Sequence, residues 1–202
     1  MPQGNPIEVL LLDADGVLQY MPRRWASAIL GDPTWPGIER LLEVEAPFLD
    51  GRRREGFPEA VAQMLREDGS AITPDQFFGA WSEITAEESA LELVRQVQAR
   101  GVRCYLATNQ QWMRAEIMRG GKLYDELDGG YYSYELGVKK PDPAYFDHIV
   151  RDLRVQRDRV LFVDDTWPNV VGARAAGIRA VHKPYAAGVA GLERVLRWHG
   201  VL

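Results

Sequence analysis

The apolar positions of this chain follow two patterns. In the first, short runs are apolar almost throughout: Ile7 to Leu12, Val102 to Ala107, Val160 to Val163 and Ala180 to His182. Continuous apolarity over so short a length suits strands buried on both faces of a parallel sheet. In the second, apolar residues recur at helical spacing over residues 23–30, 36–49, 57–67 and 74–84, with punctuation at Gly31, Pro36, Gly51, Pro58, Gly69 and Pro74. Thr73-Pro74-Asp75-Gln76 predicts an N-cap, a proline at the first helical position and a capping box completed by Gln76. Ala86 to Arg100, ending at Gly101, reads as the crossover helix that feeds the second strand, and Asn169 to Ala176 as a helix stopped by Gly177. The carboxy-terminal LERVLRWHG predicts a helix that turns its Leu and Val face to the core.

Strands that alternate with helices predict an α/β fold with a doubly wound, mostly parallel sheet. The stretch between the first two strands is far longer than a crossover needs. It predicts a small helical cap, residues 20–85, inserted after the first strand into a catalytic core made of residues 1–19 and 86–202.

Composition narrows the function classes. With 24 Lys+Arg against 29 Asp+Glu the net charge is -5, which argues against a nucleic-acid partner and favours a small molecule. No apolar run is long enough to span a membrane, and the N-terminus lacks a signal-like pattern, so a cytoplasmic location is expected. Cys104, the only cysteine, lies in the apolar run VRCYLAT and reads as a buried strand residue in a reducing compartment. A monomer and a homodimer are equally compatible with the sequence.

The chemistry gathers where the strands end. Asp13 and Asp15 precede Gly16 after the first strand, Thr108-Asn109 closes the second, and Asp164-Asp165 closes the third. In an open α/β sheet, ligands bind at that edge. Two acidic pairs brought together there repel each other unless a cation fills the gap, and oxygen donors without His or Cys select a hard ion, Mg²⁺ where phosphate is the substrate. Lys139-Lys140-Pro141-Asp142-Pro143 adds a cation before a helix. A carboxylate nucleophile, a divalent ion, a hydroxyl and a lysine form the set needed to attack phosphorus and neutralise its equatorial oxygens.

With these residues in hand, the chain resembles the haloacid dehalogenase superfamily. DADGVL resembles its first motif, LATN its second, VKKPDPAYF its third and FVDDTWPNVVGARAAG its fourth, in that order. The resemblance implies a Rossmann-like core, Asp13 as nucleophile, and Asp15 as general acid and base. It implies that Thr108 and Asn109 bind phosphoryl oxygens, that Lys140 is the motif lysine, and that Lys139 is an ordinary surface residue. Asp13, Asp164, Asp165 and the main-chain oxygen of Asp15 become the implied metal ligands, and Asn169 falls where many members carry a second acid. QFFGAWSEI and the long spacing from LATN to KKPDP resemble the helical-cap subgroup of bacterial sugar-phosphate phosphatases and the N-terminal phosphatase domain of epoxide hydrolase.

The implied activity is Mg²⁺-dependent hydrolysis of a small phosphorylated metabolite through an aspartyl phosphate on Asp13. The alternatives are a 2-haloacid dehalogenase, disfavoured by the acid at Asp15, and a non-catalytic binding protein that keeps the fold. Arg23, Arg24, Trp25, Arg52, Arg53, Arg54 and Trp81 are candidates for the entrance, while His148, His182 and His199 show no metal-ligand spacing and read as structural.

Overall fold

β1 (Val9–Leu12) is the centre of the molecule, and all four of its side chains are fully buried. In the computed structural model, which describes residues 5–21, 25–83 and 85–202, a short π-helix (Ala26–Leu30) follows it within the predicted 23–30 segment, and then three α-helices: α1 (Ile38–Glu45), α2 (Phe57–Glu67) and α3 (Pro74–Trp81). Next come α4 (Glu88–Gln98), β2 (Arg103–Thr108), α5 (Trp112–Arg119) and β3 (Gly130–Tyr132). The chain closes with α6 (Pro143–Leu153), β4 (Val160–Asp164), α7 (Trp167–Ala175), β5 (Arg179–His182) and α8 (Gly188–Trp198).

The strands form one five-stranded parallel sheet in the order β3-β2-β1-β4-β5. Leu10 and Leu12 face a cluster that includes Leu91 and Val94 of α4 and Leu192 and Leu196 of α8. Val9 and Leu11 face the opposite cluster, with Phe146 and Ile149 of α6 and Val170 and Ala173 of α7. The sheet is therefore covered on both faces, which is why its central strand carries no polar residue. At about 1.5–3 kcal/mol for each large apolar side chain removed from water, β1 alone accounts for several kcal/mol of burial.

Register delivers the site. Leu12 pairs with Leu106 on one side and Val163 on the other. One residue further, Asp13 is level with Ala107 and Asp164, so three strand ends deliver their polar residues to one rim.

The helices between β1 and β2 build an apolar cluster of their own, with Trp25, Phe48, Phe57, Phe77 and Trp81 meeting largely edge to face. Met113 and Ile117 of α5 pack against it, which seats the cluster on the sheet domain. The two ends of the excursion meet where Gln19 bridges Ala86 and the Glu87 amide donates to the Leu18 carbonyl at 2.9 Å. The capping box at the start of α3 is present: the Gln76 amide donates to Thr73 Oγ1 at 3.2 Å, and the Thr73 amide to Gln76 Oε1 at 2.8 Å.

Two features differ from the sequence reading. The sheet has a fifth strand, β3, that no apolar run announces: its three residues, Gly-Tyr-Tyr, become a strand only by pairing with the edge of β2. The helical pattern over 36–49 is interrupted, because α1 ends at Glu45 and Ala46–Phe48 tightens into a 3₁₀ turn with Pro47 inside it. Arg23, Arg24 and Ile84, the last residue of the predicted 74–84 helix, lie outside the described residues.

Candidate active site

Lys140 organises the rim. Its side chain is almost wholly buried, and its Nζ lies 2.9 Å from Asp13 Oδ1 and 2.7 Å from Asp164 Oδ2 while donating to the Ala107 carbonyl at 2.8 Å. All three protons of the ammonium therefore have partners, one from each of the three central strand ends. The lysine backbone is held equally firmly. Asn109 donates from Nδ2 to the Lys140 carbonyl at 2.9 Å and accepts the Lys140 amide on Oδ1 at 2.9 Å. Gly172 of α7 packs so closely against Pro141 that a Cβ there would lie 1.9 Å from the Pro141 carbonyl oxygen.

Asp13 follows β1 directly and accepts the Ala14 amide at 2.8 Å. Burial, opposed by the Lys140 ammonium and reinforced by the charges of Asp164 and Asp15, pushes its carboxyl up to about 7. Asp164 is saturated with donors: besides Lys140 it accepts the Thr166 amide at 2.7 Å and Asn169 Nδ2 at 3.1 Å on each oxygen. Asn169 is thus a donor to its acidic neighbour, a part that a carboxylate at that position could not play. Asp165 is raised by burial and by Asp164. Gly16, at φ +76°, lies so close to it that a Cβ would sit 2.1 Å from Asp165 Oδ2, so a side chain there would be strained and would displace the Asp165 carboxylate.

Asp13, Asp164 and Asp165 each offer a carboxylate oxygen, and the three oxygens lie within 4.8 Å of one another. One lysine is shared among several acids, and the Asp13 carboxyl is raised chiefly by its burial and further by those neighbouring charges. The donor set suits a hard divalent cation.

Asp15 stands apart from this cluster. Its side chain is 53% exposed and accepts from Gln19 Nε2 at 2.7 Å, Gln110 Nε2 at 2.9 Å and an Arg114 guanidinium nitrogen at 3.2 Å. Arg114, in the first turn of α5, also donates to the Trp81 carbonyl at 3.0 Å and lies over the Trp81 ring at 4.8 Å. One side chain therefore ties Asp15 to the helical excursion. Thr108, at the end of β2, is buried, and its hydroxyl receives a long 3.4 Å contact from Gln110 Nε2. The residues expected at this rim come together, with Thr108, Asn109, Lys140, Asp13, Asp15 and Asp165 on the wall of one cavity of about 510 Å³.

Gln19, Gln110, Arg114 and Lys183 belong to the site without having been foreseen. Lys183 is buried after β5, donates to the Gly16 carbonyl, and reaches Tyr20 OH at 2.9 Å. Gln110 directly follows LATN, which is the one signal that could have marked it; the others depend on long-range contacts. Trp25 and Trp81 line the cavity. Arg52 instead pairs with Asp50, and Arg53 covers the Phe48 ring at 4.9 Å. Lys139, expected at the surface, is half-buried and donates to the Ala46 carbonyl at 3.5 Å. His182 Nε2 lies 2.8 Å from the Asp165 carbonyl, a structural contact as expected. Burial pushes the Cys104 thiol up to about 12, in keeping with an inert strand residue.

Lys140→Met should cost about 3–5 kcal/mol, because it leaves buried carboxylates without their cation. Urea unfolding in chelator measures the loss, and Asp13→Asn in the same background should restore part of it. A loss below about 1 kcal/mol would mean that water already compensates the acids.

Comparison with known proteins agrees with this architecture. The chain is 26% identical over 157 residues to the sesquiterpene phosphatase astK of Aspergillus oryzae, covering 76% of this chain and 74% of that one. It is also 26% identical over 188 residues to the phosphatase MT3486 of Mycobacterium tuberculosis, covering 86% of each. The crystal structure of the HAD family enzyme bt-2542 from Bacteroides thetaiotaomicron, a magnesium complex, superposes with a TM-score of 0.74 at 20% identity, covering 94% of this chain and 100% of that one. Residues 7–177 match the profile of the haloacid dehalogenase-like hydrolases, and the chain belongs to that family.

Proposed function

We propose that this hydrolase is a Mg²⁺-dependent phosphatase that cleaves a small phosphomonoester through an aspartyl phosphate on Asp13. The observation that carries the reading is the Lys140 ammonium held between Asp13 and Asp164, with Asp165 completing a cluster of carboxylate oxygens within 4.8 Å. The named phosphatases among its relatives support the same chemistry. Residues 20–85 act as a cap over this rim, a part supported by their separate apolar cluster and by the Arg114 link to Asp15.

Asp13 and Asp165, with the main-chain oxygen of Asp15, would hold the cation. Asp164 is the less available ligand, since both its oxygens already accept protein donors. Bound there, Mg²⁺ would neutralise the acids and polarise a phosphoryl oxygen. In the first step Asp13 attacks phosphorus, the ester P–O bond breaks, and Asp15 gives its proton to the departing alcohol. Water then attacks the aspartyl phosphate, Asp15 takes the water proton, and the bond to Asp13 breaks to release phosphate. The Thr108 hydroxyl meets the charge on the equatorial oxygens, and the Lys140 ammonium, held against Asp13, lowers the negative charge that the phosphate encounters there. With the Asn109 side chain committed to Lys140, its part in phosphate binding falls to its main-chain N–H.

Purified protein should hydrolyse p-nitrophenyl phosphate with Mg²⁺, lose that activity in EDTA, and regain it when Mg²⁺ is restored. Undiminished turnover in chelator would sink the metal site, and halide release from a 2-haloacid in chelator would point to dehalogenation instead.

A further inference from the structure

From the wall of the catalytic cavity we infer that the substrate is the phosphomonoester of a predominantly apolar alcohol, whose hydrocarbon part lies against the helical roof. The inference rests on the phosphatase reading above and deepens it by naming the class of leaving group.

The cavity has two unlike surfaces. Its floor is the polar rim of the sheet, with Asp13 at its centre. Its roof comes from the helical excursion: Trp25, Ile38, Leu41, Leu42 and Leu49 line it, with Trp81 beside them. Ile38 is 39% exposed and Leu42 52%, although both belong to an amphipathic helix that buries Leu41 in the cluster behind them. Exposed aliphatic side chains facing a cavity that reaches the nucleophile are an apolar surface in need of a partner.

Polar recognition groups are scarce on this roof. A polyol or sugar phosphate would need several donors and acceptors to replace the water lost from its hydroxyls. Among the described residues of the excursion, Glu45 is the only charged side chain on the cavity wall, and it sits at the end of α1. Burial, with Arg114 and Lys139 opposing and the charge of Asp15 reinforcing, pushes its carboxyl up to about 7. Ionised, it repels a second anion. The cations on the wall among the described residues are Lys140, held by Asp13 and Asp164, and Arg114, held by Asp15 and the Trp81 carbonyl. Among the described residues, an alcohol bearing a carboxylate, or a sugar, therefore finds no matching roof. An aliphatic or aromatic chain does, and Glu45 can meet at most one hydroxyl or ammonium on it. A volume of about 510 Å³ leaves room for such a chain beside the phosphate.

The test is a homologous series of alkyl monophosphates from ethyl to decyl, assayed with Mg²⁺ beside glycerol phosphate, glucose 6-phosphate, phosphoglycolate and acetyl phosphate. Acetyl phosphate scarcely reaches the roof and reports the phosphoryl chemistry alone. The expected result is a kcat/KM that rises roughly threefold per added methylene until the chamber is full, with the longer alkyl esters at least tenfold above the polyol and carboxylate esters. Leu42→Asp, at a position exposed enough to accept a charge, should flatten that slope; it should lower kcat/KM for octyl phosphate at least tenfold more than for acetyl phosphate. Ile38→Asp should do the same, and circular dichroism checks that each variant is folded. Hydrolysis of acetyl phosphate together with a flat chain-length series, or with preference for a polyol phosphate, overturns this inference and leaves the phosphatase reading standing. Failure to hydrolyse any phosphoester or acyl phosphate overturns both.

Discussion

Asp13→Asn should yield a folded protein whose turnover of any phosphomonoester is lower by on the order of 10⁴-fold or more, since an amide cannot form the acyl phosphate. The same variant makes a second, independent prediction about stability. The folded state raises the Asp13 carboxyl from its ordinary range to about 7, chiefly because it is buried. A raised acid penalises the folded protein wherever the group is ionised in the unfolded chain. That penalty is absent below about pH 4, grows through the interval between, and is complete above about 7. Asn mimics the protonated acid in shape and in lack of charge. In chelator at pH 8 the variant should therefore melt no lower than the parent, and the advantage should shrink as the pH falls toward 4. Thermal melts at the two pH values check this. A variant that is both inactive and strongly destabilised at pH 8 would mean that the ion pair with Lys140 outweighs the cost of burying the charge. Retained turnover would mean that another residue attacks phosphorus.

Asp15→Asn should separate the two steps of the reaction. Asp15 lies two residues past Asp13 on the wall of the same cavity, its carboxylate held by Gln19, Gln110 and Arg114. An alkoxide leaving group is a strong base and needs a proton in the transition state, whereas nitrophenolate needs it far less. For an alkyl phosphate the variant should lose on the order of 10²–10⁴-fold in the first step. With p-nitrophenyl phosphate it should phosphorylate Asp13 at a measurable rate and then stall, because no base remains to activate water. Rapid-quench kinetics should show a burst near one equivalent of nitrophenol per site, and intact mass a phosphoryl adduct. Equal slowing of both substrates, with neither burst nor adduct, would reduce Asp15 to anchoring Arg114 and the cap.

The elements most readily read from the sequence were those whose residues answer to a local rule. β1 and β4 are apolar at almost every position because both faces of the sheet are covered, and that burial leaves a contiguous run. α3 begins where Thr73 and Gln76 cap it, a contact spanning three residues. β3 escaped notice because its pairing partner, β2, lies more than twenty residues away and two tyrosines after a glycine are too short a run to mark a strand. The acids and Thr108 announced themselves by standing at strand ends, and Lys140 by its place in the run KKPDP before a helix. Gln19, Gln110, Arg114 and Lys183 did not, since a lone glutamine, arginine or lysine is ordinarily a solvated surface residue.

By itself, then, the chain determined the strand ends that carry chemistry, because parallel strands of matched length bring their termini to one edge whatever the surrounding helices do. What each group does at that edge was decided by distances between segments far apart in sequence. Asn109 looked like a phosphate ligand, yet its amide clamps the backbone of Lys140; Asn169 looked like a missing acid, yet it donates to both oxygens of Asp164. Asp164 and Asp165 are neighbours in sequence, but one is saturated by protein donors while the other abuts Gly16 across the cluster. The apolar roof came from the same source, since helical spacing marks which side chains share a face. Only packing decides that Leu41 is buried in the cluster while Ile38 and Leu42 beside it stay exposed at the cavity. Hydrogen bonds and burial act through space, and the sequence carries their partners without their distances.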